Sequence, residues 1–388
     1  MKRIMTLMLG FLLLFTSING VVMAEESKTE ITKNAQSAVL IERDTGTILY
    51  DKNSHEKLPP ASMTKIMTMI LIMEAIEKGQ INWEDKVRTS EYAASMGGSQ
   101  IFLEPGEEMT VEEMLKGIAI GSANDASVAM AEFIAGSEEA FVEMMNNKVE
   151  ELKLKDTVFQ NPTGLPADNH FSSAYDMAMM AKELLKYEKI TQFTGTYEDY
   201  LRENTDEKFW LVNTNKLVRF YDGVDGLKTG YTSEAKYCLT ATAKVGNMRV
   251  VAVVFGEPTP KERNAEVSKM LDYAFSQFMT HPMYEKGKEI SEAKVSKGKE
   301  NTVIGMTNES ISLLTKKGEK LEGIEEKIVM NKELKAPIKK GDDIGTITIQ
   351  KDGKILAEST LVAKNDVIEA NWWVLYKRAL GMFSKSGD

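Results

Sequence analysis

The chain has 388 residues, 43% of them hydrophobic, and a formal net charge of −10. This length can build a large catalytic core and a second domain, and the acidic balance argues against nucleic acid as a partner. Cys238 is the single cysteine, so no internal disulfide can form. The three histidines, His55, His170 and His281, lie far apart in the sequence and show no metal-ligand spacing. The sequence therefore predicts no metal and no other cofactor.

Residues 1–24 have the features of a secretion signal. Two basic residues precede an apolar stretch at residues 7–15, and Val22-Met23-Ala24 provides a small-residue cleavage site. Because removal of residues 1–24 takes away two cations and no anion, it changes the formal charge from −10 to −12. We therefore expect an exported protein whose mature chain begins near Glu25.

The first predicted elements are a β-hairpin, at residues 37–43 and 47–51, and a helix that opens near Ser62. Two prolines precede this helix, and residues 66–76 are apolar nearly all round, as in a helix buried in a core. The spacing of three residues places Ser62 and Lys65 on one face, one turn apart. Because burial lowers the pKa of a lysine, Lys65 could take the proton of the Ser62 hydroxyl during nucleophilic attack.

A second motif, Ser122-Ala123-Asn124, lies between two apolar helical patterns at residues 114–120 and 126–134. A short connection held against the core can aim a hydroxyl and an amide into a cleft. The hydroxyl could relay a proton to a leaving nitrogen, and the amide could bind a substrate carbonyl. Taken alone, this motif also fits a polar helix cap, as Ser62 fits a helix N-cap.

A third motif, Lys228-Thr229-Gly230, precedes two alternating runs at residues 237–243 and 248–255 that predict paired strands. A strand edge here would offer backbone groups to an extended peptide, and the glycine would permit close approach. The lysine and threonine add a cation and a hydroxyl, which suit a substrate with a free carboxylate. A helix from about residue 263 to 278 follows. Early and late strands in one sheet, with helices between them, predict an α+β fold.

Together the three motifs indicate a serine acyltransferase, and the chain resembles the penicillin-binding D-alanyl-D-alanine carboxypeptidases, low-molecular-mass serine peptidases of the penicillin-recognising superfamily. The resemblance covers about residues 35–278. Besides the motifs, it rests on Gly98-Ser99-Gln100, Phe102-Leu103-Glu104-Pro105-Gly106, Asn161-Pro162-Thr163-Gly164-Leu165 and Asp225-Gly226-Leu227. It implies a β-lactamase/transpeptidase-like catalytic domain, with an antiparallel sheet and helices, at residues 25–281.

By this resemblance Ser62 is the nucleophile and Lys65 its general base. The facing wall is formed by Ser122 and Asn124, and the substrate-binding strand by Lys228, Thr229 and Gly230. The backbone N–H groups of Ser62 and Tyr231 would form the oxyanion hole. The implied reaction removes the terminal D-alanine from a peptidoglycan stem pentapeptide through an acyl-enzyme, and β-lactam antibiotics would acylate the same serine.

Three alternatives remain at this point. A class A β-lactamase carries a glutamate between the second and third motifs, and its absence from residues 152–182 disfavours this interpretation. A Ser-His-Asp hydrolase is disfavoured because the chain has no Gly-x-Ser-x-Gly elbow. A non-catalytic cell-wall or β-lactam-binding protein could keep the fold without turnover, but it would not need all three motifs.

After residue 281 the composition changes to short, lysine-rich, alternating segments, and residues 345–350 and 354–361 predict a hairpin. We expect a small β-sandwich at residues 282–364. In the terminal segment, 365–388, apolar residues at spacings of four and three predict an amphipathic helix over residues 366–383.

This terminal helix is too interrupted by charge to span a bilayer. Its tryptophans, its tyrosine and two adjacent cations, Lys377 and Arg378, suit the membrane interface. The resembling carboxypeptidases frequently end in such an anchor, so we expect peripheral attachment to the outer face of the cytoplasmic membrane. The alternative is a helix packed on the β-domain.

Overall fold

The computed structural model describes residues 30–385, with side chains described as far as Arg378, so the predicted signal at residues 1–24 lies outside the described part. The helices are α1 (Lys65–Glu77), α2 (Glu91–Ala94), α3 (Val111–Lys116), α4 (Asn124–Ala135), α5 (Glu138–Glu151), α6 (Ala174–Leu184), α7 (Ile190–Thr194), α8 (Leu217–Phe220), α9 (Pro260–Gln277) and α10 (Trp372–Lys385). A 3-10 turn, Ala61–Thr64, precedes α1, and a π-helical turn, Gly117–Gly121, follows α3.

The strands of the catalytic region are β1 (Ser37–Glu42), β2 (Ile48–Lys52), β3 (Lys86–Arg88), β4 (Glu108–Thr110), β5 (Glu198–Leu201), β6 (Phe209–Val212), β7 (Val224–Thr232), β8 (Lys236–Val245) and β9 (Met248–Glu257). Those that follow are β10 (Phe278–Tyr284), β11 (Glu289–Lys294), β12 (Thr302–Thr307), β13 (Ile311–Lys316), β14 (Ile324–Met330), β15 (Asp343–Lys351) and β16 (Lys354–Ala363).

The central sheet has five antiparallel strands in the order β2-β1-β9-β8-β7. The first hairpin of the chain therefore joins the last strands of the domain, and the predicted α+β fold is confirmed. Because side chains alternate along a strand, Leu40 belongs to the core on one face, together with Met270 of α9, whereas Val39 belongs to the core on the other face. That second core surrounds α1, which is buried almost throughout.

The C-terminal region is all-β, as predicted. Strand β10 begins directly after α9 and crosses the boundary expected between residues 281 and 282. It pairs with β13, while the other strands form a sheet in the order β11-β12-β16-β15-β14. Leu313 of β13 packs with Ile347 and Leu361 of that sheet, so two sheets share one small core. Ser312 Oγ also donates to Asp44 Oδ2 at 2.8 Å, which ties this domain to the β1–β2 turn.

The terminal helix begins at Trp372, six residues later than the sequence predicts. The spacing of Ile368 and Trp372 fits a helix, but residues 366–371 are not helical. Val367 exchanges two backbone hydrogen bonds with Ile338, and its side chain is buried in the β-domain core. Ala370 is also buried, whereas Ile368 is exposed. Core packing of the intervening residues therefore overrides the helical period. Among the described residues, no helix is both long and apolar enough to cross a bilayer.

Candidate active site

The Ser62 hydroxyl sits on a tight turn that is clamped from two sides. Ala61 has a left-handed backbone, with φ of +48°, which is strained for a residue with a Cβ. A Cβ on Gly164 would lie 1.8 Å from the Ala61 carbonyl oxygen, and one on Gly230 would lie 2.7 Å from the Pro60 carbonyl oxygen. Only glycine fits at these positions, so the loop carrying Gly164 and strand β7 both press against the turn.

The amine of Lys65 is the centre of the site. The residue has no exposed surface, and its Nζ lies 3.2 Å from Ser62 Oγ, 2.6 Å from Asn124 Oδ1 and 2.7 Å from the Thr163 carbonyl oxygen. Burial lowers the pKa of Lys65 well below its usual range; the nearby charge of Lys228 lowers it further, and Asp125 opposes this. Three separate segments of the chain thus hold one amine.

These contacts fit a neutral amine. A neutral lysine has two N–H bonds and one lone pair, and Asn124 Oδ1 and the Thr163 carbonyl accept the two N–H bonds at short distances. The lone pair then faces the Ser62 hydroxyl. The distance from Lys65 Nζ to Ser62 Oγ is the longest of the three. This arrangement can remove the hydroxyl proton as Ser62 attacks.

Asn124 is held in place by hydrogen bonds from its side chain and from its backbone. Its Nδ2 donates to the Gly97 carbonyl at 2.7 Å, and its own backbone N–H donates to the Ser99 carbonyl at 2.7 Å. This network assigns the amide oxygen to Lys65. The sequence suggested that this amide binds a substrate carbonyl, but the structure places it first as a support for Lys65.

Ser122 occupies the connection before α4, with a left-handed φ of +64°. Its residue is 3% exposed, and its hydroxyl has no hydrogen-bond partner within residues 30–385. The hydroxyl therefore has both its donor and its acceptor capacity available for a molecule in the cleft.

The third motif lies on β7, at the edge of the central sheet. Lys228 is buried, and its Nζ donates to the Thr229 carbonyl at 3.0 Å. Burial lowers the pKa of Lys228 to about 7, and nearby Arg263 adds to the lowering. Thr229 Oγ1 donates to Thr214 Oγ1 at 2.8 Å. Tyr231 is exposed and packs on Tyr237. An edge strand leaves alternate backbone groups free to pair with an added peptide.

The loop at residues 157–172 provides the Thr163 carbonyl that accepts from Lys65 Nζ, a contact that the sequence does not predict. Asn161 Oδ1 accepts hydrogen bonds from the backbone N–H groups of Thr163 and Gly164, and this fold presents the Thr163 carbonyl to Lys65. The segment Asn161 to Leu165 was recognised only as part of the resemblance. A backbone carbonyl leaves no side-chain signature, so its function could not be read from the motif.

The histidines do not form a catalytic triad with Ser62. His170 bonds to Thr64, His55 to Asp156 and His281 to Thr315. None of these histidines contacts the Ser62 hydroxyl in the described part of the chain. The described geometry therefore gives Lys65, rather than an imidazole, the position of a base.

Comparisons with known proteins agree with this geometry. The profile of the D-alanyl-D-alanine carboxypeptidase family matches residues 23–259, and that of the penicillin-binding protein 5 C-terminal domain matches residues 278–369. The chain is 63% identical to D-alanyl-D-alanine carboxypeptidase DacF of Bacillus subtilis over 387 residues, which cover 99% of this chain and 100% of that relative.

Solved structures give the same picture. Penicillin-binding protein 5 from Haemophilus influenzae matches with a TM-score of 0.68 and 35% identity, covering 87% of this chain and 98% of that one. Penicillin-binding protein D2 from Listeria monocytogenes, in its ampicillin-bound form, matches with a TM-score of 0.56 and 27% identity, covering 62% of this chain and 97% of that one.

The clamp on the nucleophile turn generates a stability prediction. Gly164→Ala should lower the free energy of unfolding by at least about 2 kcal/mol more than Gly136→Ala. Both glycines have a positive φ, +81° and +85°, so both substitutions incur backbone strain, but a Cβ at Gly136 meets nothing within 4 Å. Denaturant unfolding of both variants measures the difference. Equal losses would mean that the turn shifts freely to admit a methyl group.

Proposed function

We propose roles for individual residues of this chain. The chain belongs to the D-alanyl-D-alanine carboxypeptidase family and is a serine-type, penicillin-binding D-Ala-D-Ala carboxypeptidase. The observation that carries the proposal is the set of three contacts made by Lys65 Nζ. They favour Ser62 as the nucleophile and Lys65 as the general base. The substrate is the stem pentapeptide of peptidoglycan.

In the acylation step, Ser62 Oγ attacks the carbonyl carbon of the peptide bond between the two D-alanines, and its proton passes to Lys65 Nζ. The backbone N–H groups of Ser62 and Tyr231 stabilise the oxyanion that forms. Collapse of the tetrahedral intermediate breaks the C–N bond, and Lys65 returns the proton that it took from Ser62 to the leaving nitrogen. The Ser122 hydroxyl, which is bonded to neither group among the described residues, has to turn toward both of them to relay this proton. Water then hydrolyses the ester and releases the shortened peptide.

Lys228 and Thr229 bind the free carboxylate of the terminal D-alanine. Support comes from the position of Lys228 on the edge strand and from its burial, because a charge–carboxylate contact is stronger away from water. Gly230 keeps β7 close to the nucleophile turn. A substrate strand laid against this edge would bring its scissile carbonyl to Ser62.

A β-lactam would acylate Ser62 by opening of its ring. The ampicillin-bound form of the Listeria neighbour supports a β-lactam as a ligand of this site. A β-lactamase function is disfavoured because the loop at residues 157–172 contributes backbone carbonyls, and no glutamate, to the site. A binding protein without turnover differs from an enzyme in one measurement, the release of D-alanine from a diacylated tripeptide.

The enzyme acts outside the cytoplasm and is attached to the outer face of the cytoplasmic membrane through α10. Trp372, Trp373 and Tyr376 support this proposal, because they are exposed and form one cluster with ring centroids 5.2–5.6 Å apart. Aromatic rings of this kind favour the headgroup region. Of the two adjacent cations, Arg378 donates to the carbonyls of the β-domain at residues 298 and 299. Lys377 is exposed.

The nucleophile assignment is tested by mass spectrometry after exposure to a β-lactam. We expect one added drug mass on Ser62 and no adduct in Ser62→Ala.

Lys65→Arg should acylate at least about a hundredfold more slowly, because a guanidinium cannot lose its proton near neutral pH. Thermal unfolding of each variant checks that it folds. An adduct on another serine, or near-normal acylation of folded Lys65→Arg, would contradict the assignment.

The carboxylate role of Lys228 predicts a pH dependence. A lysine is charged below its pKa, and that of Lys228 is about 7, so kcat/KM for a peptide with a free terminal carboxylate should fall between pH 7 and 9. The same peptide with an amidated terminus should show no such fall from this group. Lys228→Arg should keep the preference for the carboxylate at pH 9, whereas Lys228→Ala should lose it at every pH. Equal losses in both variants would count against carboxylate recognition.

The membrane proposal predicts that the mature protein sediments with anionic vesicles. Truncation after Asn371 should abolish sedimentation and keep full activity, because Val367 and Ala370 stay in the β-domain core. Truncation after Lys364 removes both and should cost about 2 kcal/mol of stability. A matched full-length variant, with Trp372, Trp373 and Tyr376 replaced by serine, should also stay in the supernatant. The anchor proposal is wrong if the unmodified protein does not sediment.

A further inference from the structure

His170 joins the nucleophile turn to the loop that supports Lys65. It lies near the end of the loop at residues 157–172, and only 8% of its surface is exposed. Its Nε2 is 2.8 Å from Thr64 Oγ1, and its Nδ1 lies 3.2 Å from the backbone nitrogen of Gln160. Phe159 packs edge-on to the imidazole at 5.7 Å. One buried ring thus bridges two segments that both reach the catalytic amine.

The hydrogen bonds define the tautomer of this imidazole. The backbone N–H of Gln160 can only donate, so Nδ1 of His170 must be the unprotonated acceptor. The proton of the neutral ring therefore resides on Nε2, which donates to Thr64 Oγ1. Burial lowers the pKa of His170 to about 4, which agrees with a neutral ring at physiological pH.

Both ends of this bridge are connected to the site. Thr64 belongs to the turn that bears Ser62 and is completely buried. The loop on the other side donates no side chain to Lys65 but gives it the Thr163 carbonyl, and its Pro162 carbonyl accepts from Thr68 of α1 at 2.7 Å. Thr163 O and Asn124 Oδ1 direct the two N–H bonds of neutral Lys65, so the position of Thr163 O relative to Ser62 Oγ affects whether the lone pair points at Ser62.

We propose that His170 is a positioning residue for acylation, which holds the loop against the nucleophile turn through Thr64 and so aims the Lys65 lone pair at Ser62. This inference rests on the roles proposed above for Ser62 and Lys65. His170 touches no reacting atom. Its loss should therefore slow the chemical step. The affinity for the substrate carboxylate should stay largely unchanged, because the residues proposed to bind that carboxylate lie on β7.

The test uses three variants of the mature protein. His170→Leu keeps an apolar side chain but removes both hydrogen bonds, and Thr64→Val removes the acceptor with little change in volume. His170→Gln retains one acceptor and one donor on a planar amide. With a chromogenic β-lactam, stopped-flow kinetics separate the maximal acylation rate from the dissociation constant of the non-covalent complex.

We expect His170→Leu and Thr64→Val to lower the maximal acylation rate by about 10- to 100-fold, the range expected from small misplacements of reacting groups. The non-covalent dissociation constant should change less than about threefold, the double variant should be no slower than either single one, and His170→Gln should recover most of the rate. If His170→Leu fails to fold, Thr64→Val still decides, because it removes the same bond.

A spectroscopic measurement gives an independent outcome. The ¹⁵N spectrum of the imidazoles should show His170 with a protonated Nε2 and a bare Nδ1 at pH 7, and this signal should change in Thr64→Val. The inference is overturned by the opposite tautomer, or by unchanged acylation in folded Thr64→Val. If instead the unsubstituted protein gives no adduct on Ser62, it is the proposed function that fails.

Discussion

Burial of the Lys65 amine is the constraint on which the rest of the catalytic domain depends. An isolated ammonium in an apolar core costs several kcal/mol, and Lys65 is completely buried at the start of α1, whose aliphatic residues belong to the core. A neutral amine avoids most of that cost, provided that its N–H bonds find acceptors. Asn124, from the second motif, and Thr163, from the loop at residues 157–172, each provide one acceptor. The same requirement that stabilises the fold therefore favours a neutral amine beside Ser62 Oγ.

Lys228 adds a second buried lysine to the same site. Each lysine loses solvation, and the Lys228 charge further disfavours a charge on Lys65. Asp125 opposes this effect, but it is occupied with backbone N–H groups of Ile101 and Leu103. Two charged lysines are therefore the most costly combination for this pair. The proposed roles require one neutral and one charged lysine, a combination that avoids this repulsion.

Much of this arrangement could be predicted from the sequence, where local patterns agree with tertiary packing. The apolar run at residues 66–76, the alternating strands and the three motifs gave α1, β8, β9 and the residues around Lys65. The supporting contacts could not be predicted in the same way, because Thr163 acts through its carbonyl and Gly164 through the absence of a Cβ. The predicted start of α10 at residue 366 was wrong, because Val367 is buried in the β-domain core and the helix begins only at Trp372.

On the proposed roles, one base serves both halves of the reaction, and the leaving group then decides how the two ligand classes behave. D-alanine is free after the C–N bond breaks, so it can leave the space near Ser122 and Lys228 to a water molecule, which Lys65 can activate in the reverse sense of the first step. The amine of an opened β-lactam remains covalently attached to the acyl group. On these roles, the two ligand classes therefore differ in whether the leaving nitrogen can depart from Ser122 and Lys228 before water attacks the ester.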